Sequence, residues 1–231
     1  RFKNYNLHIL GLGIDPTASS MRRLLAAQTR ARIIRARRMM KRLQKAGFHI
    51  SWNNVLAASR DTIARPNIAN AVLRRHENAA RLRQEFGTIP SFHDFIKAYI
   101  VPGTPGYVEG ARPTALQAVV AIHGANGLAI VAHPFGLADD LKMIGGYPNR
   151  LNILRQLLRY GFDGLEAFHP ATTPTDLRVF RALARRHKLI LTGGSDFHDP
   201  KNATLGHYAP TKRIPNVVLA ATALDILNGV R

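Results

Sequence analysis

Cysteine is missing altogether from this 231-residue chain. Its absence excludes disulfides and thiolate metal sites, and a chain without thiols suits a reducing compartment, so a cytoplasmic location is the expectation. Acidic side chains are scarce. Fourteen Asp and Glu face 33 Lys and Arg, a formal net charge of +19. Two readings of that imbalance stay open: a solubilised surface, or a polyanionic partner such as nucleic acid or a phosphorylated substrate. Tryptophan occurs once and the other aromatics are scattered, so no base-stacking platform stands out. No apolar run approaches the roughly 18 residues of a membrane-spanning helix, and no secretory signal opens the chain. The first residue is Arg1 rather than Met, and residues 4–14 already read as strand and turn. An upstream segment is therefore expected to be missing. The 46% of hydrophobic residues suffices for one large domain with a smaller insertion.

What is present gathers in two stretches, LAIVAHP at 128–134 and ILTGGSDFHD at 190–199. Each is an apolar run of strand length that ends abruptly in polar residues. Buried parallel strands read as continuous apolar runs, and in α/β folds chemistry sits just beyond their carboxyl ends. His133, Asp196 and His198 are therefore candidates for one cleft. Asp-x-His sets a hard oxygen and an imidazole nitrogen two residues apart, a donor pair that suits Zn, Mn or Fe better than Mg or Ca.

These stretches, in this order, resemble the polymerase-and-histidinol-phosphatase (PHP) family of metal-dependent phosphoesterases. The sequence LHILGLGID at 7–15 resembles another of the family's ligand strands, and further pieces agree: ARPNIA at 64–69, TPGYV at 104–108 and FDGLE at 162–166. The similarity runs along nearly the whole chain and is closest to the bacterial branch acting on nucleotides and short RNA. The resemblance implies a fold, a distorted (β/α) barrel, incomplete here, with a helical insertion. It implies divalent metal ions, Mn first and Zn or Fe after it. His8 and His133 would hold one ion, Asp196 another, and His198 a third or a bridging position. His133, Asp196 and His198 become the expected catalytic set. The family's early His-x-His and bridging Glu have no counterpart, because Asn4, Tyr5 and Asn6 precede His8. Asn67 stands where the family pattern Arg-Pro-His has histidine. It can donate a hydrogen bond but shuttles no proton at neutral pH. Arg65 is the expected phosphate clamp, with Asn67 beside it, since a guanidinium can hold two oxygens at once.

Along the chain, residues 6–12 read as a strand. Asp15-Pro16 reads as a helix start, and the helix should run to about Ala46 with Gly47 as its stop. Ile33, Ala36, Met40 and Leu43 form its apolar face. Arg35, Arg38, Arg42 and Lys45 form the opposite one, a solvated face or a phosphate-backbone contact. From 48 to 112 the strand–helix alternation disappears. That segment is expected as the insertion, with helices over 70–85 and 92–99, and the barrel core as 1–47 with 113–231. Helices at 113–123, 151–160, 174–187 and 216–227 alternate with strands at 128–132, 162–168 and 189–193, the pattern of parallel βαβ units. His123 reads as a last-turn histidine, Glu166 and His169 as rim or structural groups, and His207 as a weak candidate near the site.

The expected function is hydrolysis of phosphate esters of nucleotides or short RNA, either 3′,5′-bisphosphate nucleotides or 5′-to-3′ exonucleolytic cleavage. Activity in the short chain is expected to be low. The alternative is a non-catalytic, basic RNA-binding protein on a degenerate form of the fold. A structural zinc site of three His and one Asp is a third reading, though such sites usually include Cys. The expected partner is the phosphorylated nucleotide or RNA substrate. Nothing points to a membrane or a protein partner.

Overall fold

The computed structural model describes residues 1–3, 5–59, 62–135, 146–195, 207–209 and 212–215. Its elements in chain order are β1 (Ile9–Leu12), α1 (Ser19–Lys45), α2 (Trp52–Ala57), α3 (Arg65–Leu73), α4 (Ala79–Phe86), α5 (Phe92–Tyr99), α6 (Ala115–His123), β2 (Leu128–Val131), α7 (Gly146–Leu158), β3 (Gly164–Phe168), α8 (Pro174–His187), β4 (Ile190–Gly193), β5 (His207–Ala209) and β6 (Lys212–Arg213). Two compact units emerge, Arg1–Leu24 with Pro113–Arg231, and Leu25–Arg112. The division falls inside α1 rather than after residue 47. The physical reason is that α1 buries Ala36, Met39 and Leu43 in the apolar core of the second unit. The helix expected over 216–227 lies outside the described residues.

The first unit is built on a sheet of order β1-β2-β3-β4, with β5 and β6 forming a separate two-stranded ribbon. β2, β3 and β4 are parallel neighbours, as the apolar runs imply. Every residue of β2 and β3 is buried, which is why LAIV and GLEAF show no alternation. β1 departs from the parallel pattern of the other three strands. It runs antiparallel to β2, with Ile9 opposite Val131 and Leu12 opposite Leu128. A four-residue apolar run carries no directional signal, so sequence alone left this open. Around the sheet, Leu157, Phe162, Leu165 and Phe180 fill the core, each worth about 1.5–3 kcal/mol when fully buried. α8 matches its expected span. Thr173 and Asp176 form a capping box, Pro174 opens the first turn, and Lys188 closes the helix in the left-handed region.

The second unit is helical. Phe48 packs edge-on against Phe95 and Tyr99 over a core that includes Leu82 and Val72. Two local expectations change here. α1 starts at Ser19, not beside Asp15, because the Asp15 carboxylate is taken by the Thr17 N–H and hydroxyl in a tight turn. The helix expected over 70–85 breaks into α3, a 3-10 turn at His76–Asn78, and α4. The break is held by buried Asn78, whose Oδ1 accepts from the His49 N–H and whose Nδ2 donates to the His49 and Val72 carbonyls.

Candidate active site

His8 immediately precedes β1, and His133 follows the carboxyl end of β2. Because β1 is antiparallel, its start lies beside the end of β2, and the Ala132 N–H donates to the His8 carbonyl at 3.2 Å. The two imidazoles meet there. His8 Nδ1 and His133 Nε2 stand 3.0 Å apart, with the rings nearly perpendicular at 83°. His8 is exposed, whereas His133 is 4% exposed. Two nitrogens bound to one tetrahedral ion at roughly 2.0–2.1 Å would stand about 3.3 Å apart. The pair therefore fits two ligands of one ion with little movement. Among the described residues no group of three or more His, Cys, Asp or Glu is arranged to hold a metal ion. Asp196 and His198, the other two expected ligands, follow β4 and lie outside the described residues.

The backbone at His133 is unusual, with a φ of 30°, in the left-handed region. A carboxylate holds it there. Glu166 Oε2, projecting from the middle of β3, accepts the His133 N–H at 2.9 Å. Glu166 is itself only 6% exposed. Gly194 lies against this carboxylate, where a Cβ would press on Glu166 Oε1 and push it aside. His169, at the end of β3, is buried with its ring centroid 5.3 Å from that of His133, and its Nδ1 accepts from the Ala171 N–H. Glu166 thus has the structural role foreseen for it, but its target, the His133 backbone, was not foreseen. The available signal was a carboxylate inside a wholly apolar strand, which demands a buried partner.

His8 and His133 also line a pocket with Leu7, Pro134, Ile153 and Arg150 of α7. Arg150 was not singled out from the sequence. His123 is more than a last-turn histidine: its Nε2 meets Asp163 Oδ2 at 2.8 Å, and the same oxygen accepts the Ala129 N–H at the start of β2. His207 lies in β5, 3.4 Å from the Arg213 Nε.

In the helical unit, Arg65 is exposed in the first turn of α3. Asn67 holds that turn in place, its Oδ1 accepting from the Ala64 N–H and its Nδ2 donating to the Ala58 carbonyl, both at 2.7 Å. The basic face of α1 divides. Arg35 Nε donates to the Val108 carbonyl at 2.7 Å and Arg42 donates to the Tyr107 carbonyl. Burial pushes the Arg35 guanidinium below its ordinary value; Tyr107 opposes this, and like charge on Arg65 and Arg112 adds to it. Arg38 and Lys41 remain exposed, and α1 contains no acidic residue.

No family model matches the chain. It is 32% identical over 203 residues to the 5′-3′ exoribonuclease Rnm of Salmonella typhimurium, and 32% over 199 residues to that of Escherichia coli; each match covers 86% of this chain and 62% of the relative. It is 28% identical over 202 residues to the 3′,5′-nucleoside bisphosphate phosphatase of Chromobacterium violaceum, covering 85% of this chain and 64% of that one. The chain thus spans less than two thirds of the length of these relatives. Among solved structures, an inferred metal-dependent phosphoesterase from Bifidobacterium adolescentis shares the fold with a TM-score of 0.69 at 23% identity, covering 98% of this chain and 73% of the other. An amidohydrolase from Chromobacterium violaceum, with bound sulfate and no metal, matches with a TM-score of 0.64 at 27% identity, over 96% and 74%. The named relatives and the shared fold agree: the chain is similar in sequence to bacterial 5′-3′ exoribonucleases and to a 3′,5′-nucleoside bisphosphate phosphatase, and it has the α/β fold of a metal-dependent phosphoesterase.

Proposed function

We propose that the natural protein is a metal-dependent phosphoesterase that hydrolyses nucleotide phosphates or short RNA, with a 3′,5′-bisphosphate nucleotide or a 5′-phosphorylated RNA end as substrate. The observation that supports it is the meeting of His8 and His133 at 3.0 Å at the carboxyl end of β2. His8 and His133 would hold one divalent ion, with Asp196 and His198 completing the centre; Mn is the favoured metal, and Zn or Fe would suit the same donors. Such ions neutralise phosphate charge and acidify water when bound. The residues of this chain do the rest. His133 and His8 present nitrogen donors in fixed orientation, Glu166 holds the His133 backbone, and the apolar walls of the pocket restrict water. Arg65 is the phosphate-holding guanidinium of the helical unit, and Asn67 fixes the turn that presents it. Relatives named as hydrolases favour this reading over a non-catalytic RNA-binding protein. The absence of cysteine suits a cytoplasmic enzyme. No helix of the described residues is long and apolar enough to cross a membrane.

The test is phosphate or nucleotide release by the natural full-length protein with added Mn, on a 3′,5′-bisphosphate nucleotide and on 5′-phosphorylated RNA. His133→Ala and Asp196→Ala should each abolish turnover. Unaltered turnover in His133→Ala would reject the assigned centre.

A further inference from the structure

The pocket beside the two histidines contains a positive charge that its walls leave uncompensated. Arg150 lines it together with His8, His133 and the apolar side chains of Leu7, Ile153, Leu154 and Leu157. All belong to one compact unit. The Arg150 Nε is buried and makes no hydrogen bond among the described residues, and no ion pair to Arg150 exists among them either. Among the described residues no carboxylate lines the pocket. A guanidinium cannot give up its proton under ordinary conditions, so a buried donor on it stays costly until an acceptor arrives. Apolar walls lower the local dielectric and strengthen any charge pair formed inside. A small anion with several acceptor oxygens would meet that need.

We propose that Arg150 binds a phosphate oxygen of the substrate beside the His8–His133 pair, as the phosphate-recognition residue of the sheet-bearing unit. Phosphate matches the need in two ways. It offers an acceptor oxygen to the guanidinium, a charge-assisted hydrogen bond, and its negative charge compensates a cation that no carboxylate of the described residues pairs with. A carboxylate ligand would supply the same pairing with less charge. A neutral nucleoside supplies neither. This inference rests on the phosphoesterase reading for its choice of substrate, but its test does not depend on turnover.

The experiment measures binding of inorganic phosphate, adenosine monophosphate, acetate and adenosine to the chain by calorimetry, with and without added Mn. The parent should bind phosphate and the monophosphate and ignore adenosine. Arg150→Ala should weaken phosphate binding roughly 10- to 100-fold, the range for a lost charge-assisted hydrogen bond. Arg150→Lys should restore part of it, since Lys keeps the charge without the fork. Far-UV circular dichroism confirms that each variant is folded. If Arg150→Ala misfolds, Arg150→Lys and Arg150→Gln carry the comparison, with Gln the weaker binder. Phosphate affinity equal to the parent in folded Arg150→Ala or Arg150→Gln overturns the proposal, and so does acetate binding as tight as phosphate. If phosphate binding depends on Arg150 while the full-length protein releases no phosphate, the inference stands and the phosphoesterase reading falls. If the full-length protein turns over but Arg150→Gln leaves both KM and phosphate affinity unchanged, only the inference falls.

Discussion

Replacing Glu166 by Ala probes the joint on which the candidate centre turns. Its Oε2 accepts the His133 N–H at 2.9 Å, and both residues are buried. Removal leaves a buried N–H without its acceptor, which costs about 1–3 kcal/mol. The lost bond was to a charged group, which places the loss in the upper half of that range, about 1.5–3 kcal/mol. The left-handed backbone of His133, at a φ of 30°, then loses a restraint; such conformations persist only when the surroundings enforce them. These contributions do not simply add, because the segment can relax and give back strain as the bond breaks. The expected net loss is about 2–3 kcal/mol. Urea unfolding followed by far-UV circular dichroism should show a lower midpoint with an unchanged slope. Hydrogen exchange at the His133 amide should accelerate. Glu166→Gln keeps an acceptor oxygen and loses only the charge, so its loss should be about 1 kcal/mol. With His133 as a metal ligand, Mn or Zn affinity should fall about 10- to 100-fold in the Ala variant, the usual effect of removing a group that supports a ligand. An Ala variant within about 0.5 kcal/mol of the parent, with the His133 amide still protected, would refute the reasoning.

Four further outcomes are expected. Asp163→Ala deprives both the Ala129 N–H and His123 of their acceptor and should cost about 1.5–3 kcal/mol in urea unfolding. Gly194→Ala, by pressing on Glu166 Oε1, should reproduce part of the Glu166→Ala defect in His133 amide exchange. Burial raises the Glu85 carboxyl, but hydrogen bonds from Tyr99 and Arg81 and the Arg81 charge outweigh it and leave it below its ordinary 4.5; this stabilisation is complete above that value and is lost as pH falls through the folded one, so acid should loosen the helical unit, read by Trp52 fluorescence, and less so in Tyr99→Phe. Arg38→Glu with Lys41→Glu, both exposed on α1, should weaken binding to single-stranded RNA and flatten its salt dependence, measured by fluorescence anisotropy, whereas unchanged affinity at low salt would clear that face of RNA contact.

The elements that were legible in the sequence are those whose signal is local. α8 could be read from Thr173-Pro174 and its capping residues, and α5 from Ser91. β2 and β3 could be read from uninterrupted apolar runs buried at every position. What escaped depends on long-range partners. Asn78 breaks a helix only because residues from the 49 and 72 positions come within reach of its amide. Arg35 and Arg42 looked like part of a free basic face until the 107–108 backbone supplied carbonyls for both. Arg150 gave no signal at all, because its interest lies in its place among the apolar lining of the pocket with no acid among the described residues there, and that is a property of the packed pocket. Glu166 gave half of one: its burial could be expected from the strand, but not the N–H it serves.

The direction of β1 shows how much the site owes to topology. His8 lies one residue before a strand of four residues, Ile9–Leu12. Had β1 been parallel to β2, that position would sit beside Gly127, and His8 would be separated from His133 by about six residues of chain, on the order of 20 Å. No side chain could close that gap to share an ion. The antiparallel register, Ile9 opposite Val131, brings the residue before one strand level with the residue after the other. The two histidines therefore meet because one strand is entered where its neighbour is left. Residue identity and spacing carry no trace of that reversal, and only the ordered resemblance of the motifs assigned His8 and His133 to one centre. Glu166 adds a second constraint from the next strand of the sheet, since a slip of β3 by one residue would turn its side chain to the opposite face. The candidate centre is thus fixed by three strands at once, and the test of any one of its residues is also a test of the sheet order that presents it.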